Sequence, residues 1–325
     1  MGLFFWDGER MTKVDLITGF LGSGKTTFLK KYAKKLMEKG EKICIIENDF
    51  GAINVDMVLL QELLGENCNI EMIVGGDGEV AHQRRLKTKL IAMGMLGYDR
   101  VIIEPSGVFD PDELFDILYE SPIDMWYEMG SVICIYDAEH VADLSKESRY
   151  MLMSEIASAG VVVVSKLDEE NEKKRDEILS HIESVMDEFD CSRVIRPEDI
   201  IAKNWDEFSD ADYNKMIGSG YKKADYPKRM HVGDSGYQTL FYFDFTIDEE
   251  LLHETVTKIF EDEKCGNVHR IKGFIQVGDT EKIELNVTRK RYDTKRVNTD
   301  RAVLIIIGEN LDRAELAKYV GEPSV

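Results

Sequence analysis

Along the first two-thirds of the chain, short and nearly unbroken apolar runs recur at Val14–Thr18, Ile43–Ile46, Val101–Ile103, Val132–Tyr136 and Val161–Val164. Runs this short, rich in Val and Ile and without strict alternation, predict strands buried on both faces. The segments between them carry helical spacing. Over Thr26–Lys39, residues Phe28, Leu29, Tyr32, Leu36 and Met37 share a face, and Gly40 is the expected stop. Gln83–Met95, Pro111–Tyr119, Lys146–Ala157 and Glu170–Phe189 repeat the pattern. Continuous apolar strands alternating with amphipathic helices predict an α/β fold with a mainly parallel sheet, covered on both sides.

The pattern weakens after about Asn204, and Ser209–Gln238, rich in Gly, Lys, Asp and Tyr, reads as an irregular connector. From Thr239 the character changes. Phe241–Thr246, Asn267–Val277, Lys282–Val287 and Ala302–Ile307 show partial alternation, with helical spacing over Glu249–Phe260 and Asp312–Tyr319. This predicts a second, smaller α+β domain. The expected organisation is an extension over residues 1–12, an α/β domain over 13–208, a linker over 209–238 and an α+β domain over 239–325.

Composition adds boundaries. With 43% hydrophobic and 32% charged residues the chain is globular rather than disordered. A net charge of −21 opposes binding to phosphate backbones and anionic lipids, so neither nucleic acid nor membrane is an expected partner. The five cysteines are scattered, odd in number and form no C-x-x-C pair, which argues against a disulfide scaffold and for a reducing, cytoplasmic setting. No signal peptide is read in the opening residues, and no apolar stretch reaches the length needed to span a bilayer.

The strongest chemical signal lies between the first strand and the first helix. Gly19-Phe20-Leu21-Gly22-Ser23-Gly24-Lys25-Thr26 matches the phosphate-loop pattern G-x-x-x-x-G-K-[ST]. Glycines let successive backbone N–H groups turn toward phosphate oxygens, and the following helix N-terminus adds its positive dipole end. Lys25 is expected on the β- and γ-phosphates, the Thr26 hydroxyl on Mg²⁺, and Gly19, Gly22, Ser23, Gly24 and Thr27 around the phosphates. Hydrolysis also needs carboxylates at neighbouring strand ends. Glu47-Asn48-Asp49-Phe50-Gly51 with Asp56, and Glu104-Pro105-Ser106-Gly107, are the candidates. Asp49 and Glu104 are expected to act with Lys25 in catalysis and with Thr26 at the metal, and the Gly107 N–H is expected at the γ-phosphate. After the Val161–Val164 run, Ser165-Lys166-Leu167-Asp168 matches the [N/T/S]-K-x-D element of guanine sites. A carboxylate at Asp168 accepts from guanine N1–H and N2–H₂, a pattern adenine lacks. Lys166 is expected along the base, and Ser165 stands where Asn is usual.

Taken together, Thr18–Thr27, Glu47–Gly51 with Asp56, Glu104–Gly107 with Asp110-Pro111, and Ser165–Asp168 resemble the CobW-type GTPases, relatives of the nickel-insertion GTPases of urease and hydrogenase. Arg270–Phe274 and Ile307–Leu311 extend the resemblance to those proteins' small C-terminal domain. The resemblance implies Mg²⁺-dependent turnover of GTP to GDP, coupled to delivery of a metal or metal-containing cofactor to a client metalloenzyme. It is compatible with a homodimer. One stretch departs from the pattern. Where the family carries Gly-Cys-x-Cys-Cys, this chain has Gly75-Gly76-Asp77-Gly78-Glu79. Asp77, Glu79 and Glu47, with His82, would form a hard-ligand site, so Zn²⁺ or another transition metal is not carried over as cargo with the resemblance. Two other readings remain at this point: a GTP-responsive switch that binds a protein with little turnover, and a phosphate-loop kinase acting on a small molecule.

Overall fold

A computed structural model describes residues 11–49, 60–74, 79–105, 111–139, 144–167, 172–227, 237–278, 281–299 and 302–324. The chain divides into two compact units, Met1–Arg229 and Met230–Val325.

The first unit is built on seven parallel strands: β1 (Thr12–Thr18), β2 (Ile43–Asp49), β3 (Cys68–Val74), β4 (Arg100–Pro105), β5 (Tyr127–Asp137), β6 (Val161–Ser165) and β7 (Ile200–Ile201). Their order is β3-β2-β4-β1-β5-β6-β7. Helices α1 (Lys25–Glu38), α2 (Glu79–Met93), α3 (Pro111–Leu118), α4 (Lys146–Ser158), α5 (Glu172–Glu188) and α6 (Asp210–Ile217) accompany it. β4 and β6 are buried along their whole length, as expected for strands without alternation. Phe28, Leu29, Tyr32, Ala33 and Leu36 of α1 are fully buried against Ile17, Ile45, Ile102 and Ile133, and Gly40 (φ 82°) ends that helix.

A buried polar knot anchors the root of β1. Asp15 accepts from the Tyr32 hydroxyl at 2.7 Å, from Arg100 Nη1 at 2.7 and 2.8 Å, and from the Ser131 N–H at 2.7 Å. Arg100 Nε also donates to Glu41 at 2.8 Å. The knot ties α1, β1, β4 and β5 together, and the β1–β5 register slips between Val14 and Leu16, where Asp15 stands. Gly130 has no alternative there, because a Cβ would collide with the Asp15 carboxylate.

The structure adds elements that the pattern did not predict. β3 is an edge strand whose Asn69 and Glu71 break the apolar run. Asp210–Ile217, inside the stretch expected to be an irregular connector, is a helix. Its Ser209 cap and Asp212 form a capping box, and Met216 is fully buried in the core. The following residues run along the same unit: Val132 N–H donates to Gly220 O, and Lys222 N–H to Ser158 O, each at 2.9 Å.

The second unit is a five-stranded antiparallel sheet in the order β11-β10-β9-β12-β8. Its strands are β8 (Tyr237–Phe243), β9 (Asn267–Val277), β10 (Glu281–Val287), β11 (Tyr292–Val297) and β12 (Val303–Glu309). Leu252, Val256 and Ile259 of α7 (Glu249–Glu261) and Leu316 of α8 (Arg313–Val320) share a core with Ile271, Ile275, Leu304 and Ile306. Gly273 (φ 149°) lets β9 approach β12, since a Cβ there would collide with the Val303 carbonyl. β11 escaped the pattern because it is a polar, largely exposed edge strand.

Candidate functional site

The phosphate loop leaves the C-terminal end of β1, the strand flanked by β4 on one side and β5 on the other. Ligands of open parallel sheets gather at such strand ends. Gly19, Gly22 and Gly24 all have positive φ (143°, 77° and 96°). At Gly19 a Cβ would collide with the Ile135 carbonyl and come within 2.8 Å of Ser23 Oγ. Gly24 is the left-handed residue from which α1 starts, and its amide neighbours have no side-chain cap. The loop closes on itself through the Ser23 N–H to Phe20 O at 3.1 Å. Lys25 is 8% exposed, and its ammonium donates to Gly19 O at 2.7 Å and Phe20 O at 3.5 Å. Thr27 is exposed in the first turn of α1.

The acidic side meets this loop through Thr26, whose hydroxyl donates to Glu104 Oε1 at 2.8 Å. Glu104 is buried near the end of β4. Glu47 of β2 is its register partner and is also buried, so the two carboxylates share a face of the sheet. Glu47, expected at a separate metal site, therefore stands next to Glu104. Asp49 closes β2, but its side chain lies outside the described residues, as do Asp56, Asp77, Gly107, and the side chains of Glu79 and His82. Among the described residues no group of three or more His, Cys, Asp or Glu is gathered in a metal-binding cluster.

In the second motif, Ser165 is buried at the end of β6 and its hydroxyl donates to Tyr136 O at 3.3 Å. Lys166 adopts φ 54°, unusual for a residue with a side chain, and its ammonium pairs with Asp137 Oδ2 at 2.6 Å. Asp137 ends β5, and its other oxygen accepts from the Glu139 N–H at 2.9 Å. Asp168 lies outside the described residues. Trp205 joins the two sides: its indole N–H donates to Val164 O at 2.8 Å, while its ring lies 3.1 Å from where a Gly24 Cβ would be.

Three residues of this region were missed in the sequence. Asp137 carried a signal, being an acidic residue at the end of an apolar strand like Glu47 and Glu104. Trp205 carried none, because its partners lie at positions 24 and 164. Glu155, on α4, is fully buried, and burial pushes its carboxyl up to about 8 against the pull of Lys25. Within a helix of unremarkable spacing it was indistinguishable from a surface acid.

Comparison with known proteins agrees with the motifs. The model of the CobW/HypB/UreG nucleotide-binding domain matches residues 13–192, and that of the cobalamin synthesis protein cobW C-terminal domain matches residues 238–321. The zinc chaperone YeiR of Escherichia coli is 31% identical over 160 residues, 49% of this chain and 47% of that protein. The zinc chaperone YjiA of the same organism is 29% identical over 170 residues, 50% of this chain and 51% of its own. The matches thus span about half the length of these two relatives. The zinc chaperone CobW of Pseudomonas aeruginosa is 24% identical over 351 aligned positions, covering 94% of this chain and 90% of that protein.

Proposed function

Because the chain belongs to the CobW/HypB/UreG family, we propose that it is a Mg²⁺-dependent GTP hydrolase whose turnover drives delivery of a metal or metal-containing cofactor to a client enzyme. The observation that carries this reading is the convergence at one strand end of the glycine loop, the Lys25 ammonium and the Thr26–Glu104 pair at 2.8 Å. Lys25 donates to the Gly19 and Phe20 carbonyls, and phosphate oxygens would offer it charged acceptors, which make stronger hydrogen bonds than carbonyls do. The hydroxyl of Thr26 and the carboxylate of Glu104 are hard oxygen donors, the set Mg²⁺ prefers. They would hold the ion with Asp49, and it would neutralise charge developing on the transferred phosphoryl group. Glycines 19, 22 and 24 with Ser23 and Thr27 would line the phosphates, with Gly107 at the γ-phosphate. Ser165, Lys166 and Asp168 would hold guanine, with Asp137 keeping Lys166 in place. Residues 13–208 would form the GTPase domain and 239–325 its C-terminal companion.

Specificity tests the assignment directly. Ligand at about 100 times its Kd stabilises a protein by roughly 2.7 kcal/mol. Mg·GDP is expected to raise the melting temperature by several degrees and Mg·ADP to leave it in place; equal shifts would remove the guanine assignment. Multiple-turnover phosphate release then separates a hydrolase from a switch.

For cargo, the relatives named as zinc chaperones suggest zinc, yet this chain's loop offers Asp77 and Glu79 among glycines. Burial pushes the Cys44 and Cys68 thiols up, to about 12 and about 11, and neither cysteine stands in that loop. We therefore propose that the metal or cofactor served is not held by thiolates of this chain. Equilibrium dialysis of the full chain should find no tight, stoichiometric Zn²⁺; one retained zinc per chain would sink the idea. A cytoplasmic site of action fits the free thiols, and among the described residues no helix is long and apolar enough to cross a membrane.

A further inference from the structure

Behind the phosphate loop, α4 presents a carboxyl that the reading above does not use. Glu155 is fully buried, and neither of its oxygens closes a hydrogen bond to a described residue. The polar groups that act on it lie in the loop, at the start of α1 and on the strands beside them. The Thr18 hydroxyl at the end of β1 and the Gly19 N–H approach it, Lys25 from α1 stabilises its anion, and Cys134 from β5 feels its charge. The Thr18 hydroxyl is buried beside this carboxyl, and the Ser23 hydroxyl, buried without a hydrogen-bond partner, lies against Gly19. A fully buried acid whose stabilising neighbours, Thr18, the Gly19 N–H and Lys25, belong to the loop and its root is an unusual arrangement, because buried carboxylates are normally tied to fixed partners of good geometry.

Two influences oppose each other at this carboxyl. Burial favours the neutral acid, and the Lys25 ammonium favours the anion. Burial dominates, and the group titrates near pH 8. Phosphate binding at the loop acts on the second influence. Oxygens that engage Lys25 satisfy its charge, and Mg·GDP as a whole still brings about one net negative charge, so the Glu155 anion loses its stabilising neighbour. The neutral form gains, and it can also donate a hydrogen bond to an oxygen such as that of Thr18.

We propose that Glu155 is a positioning residue of the phosphate loop and that, where it is ionised, it takes up a proton from solvent as the loop binds a nucleoside diphosphate. The proton goes onto a carboxylate oxygen, and no bond of the nucleotide changes. This rests on the reading of Gly19–Thr27 as the nucleotide site. It adds a linkage: above pH 8 binding must supply the proton, so affinity falls with rising pH, by at most about tenfold per unit.

The test is titration calorimetry of the full chain with Mg·GDP at pH 8, in two buffers of different ionisation enthalpy. The wild type should take up about half a proton per GDP, as a group near its pKa does when its neutral form is favoured. Glu155→Gln, neutral at every pH, should take up none and lose the decline in affinity above pH 8. Glu155→Asp, which keeps an acid, should retain uptake. The titration of guanine itself is common to all three proteins and subtracts out. An infrared difference spectrum reads the same event without a variant, as a protonated-carboxyl band growing when Mg·GDP is added to the wild type at pH 8. Binding without proton uptake, uptake unchanged in Glu155→Gln, or no growth of that band in the wild type would each overturn the proposal. Absence of any heat with Mg·GDP would instead overturn the nucleotide assignment.

Discussion

Lys25, Glu155 and Asp15 are three buried ionisable residues with three different solutions to burial. Asp15 is saturated by Tyr32, Arg100 and the Ser131 N–H, the arrangement of an anchor. Lys25 donates to the loop carbonyls of Gly19 and Phe20 and acts on the Glu155 carboxyl. Glu155 has no full hydrogen bond, and its proton compensates for this. That proton has a consequence for stability. The folded carboxyl titrates near 8 instead of the ordinary 4.5, so between those values the native chain holds a proton that the unfolded chain has released. Stability attributable to this group is fully present below about pH 4.5 and is lost as pH rises toward 8, at about 1.4 kcal/mol per unit. Denaturant unfolding of the wild type and Glu155→Gln from pH 5 to pH 8 should show the variant gaining on the wild type by that slope; parallel curves would place the carboxyl in contact with water.

At the scale of the element, the phosphate loop is a backbone feature first. Gly19 combines a positive φ with a close approach to the Ile135 carbonyl, so its conformation and its lack of a Cβ are both required. Gly19→Ala should destabilise the first unit by about 1–3 kcal/mol from backbone strain alone, with the collision adding to it, and should weaken Mg·GDP binding. A variant with wild-type melting temperature and affinity would mean the loop adapts around that carbonyl. Elements with a strong local pattern, such as α1 and β6, were legible because one repeated spacing decides which face is buried. β3, β11 and α6 were not. The first two are edge strands with polar residues in the run, where burial on one side suffices. In α6 the cap at Ser209 and the buried Met216 mattered more than an extended apolar stripe.

On the scale of the whole molecule, each of the two units has its own core, one gathered around Ile17, Phe28 and Ile133 and the other around Ile271, Ile275 and Ile306. A core of its own lets each unit unfold as a cooperative whole. Calorimetry should therefore resolve two transitions, with Mg·GDP raising only the one belonging to residues 1–229, where the loop lies. A single transition moved as a whole by GDP would mean that the units unfold as one.

The amino-acid order alone was enough for the α/β class, the phosphate loop and the acidic strand ends, since each is written in neighbours a few positions apart: glycines before a lysine, apolar runs before a turn. Tertiary packing alone decided that Thr26 meets Glu104 across 78 positions, that Lys166 leans on Asp137, and that Glu155 lies behind Gly19 instead of in water. Spacing specifies which residues share a helix face or a strand. Which of those faces close on one another, and how far a carboxyl there is removed from solvent, depends on the order of the strands and the depth of the core.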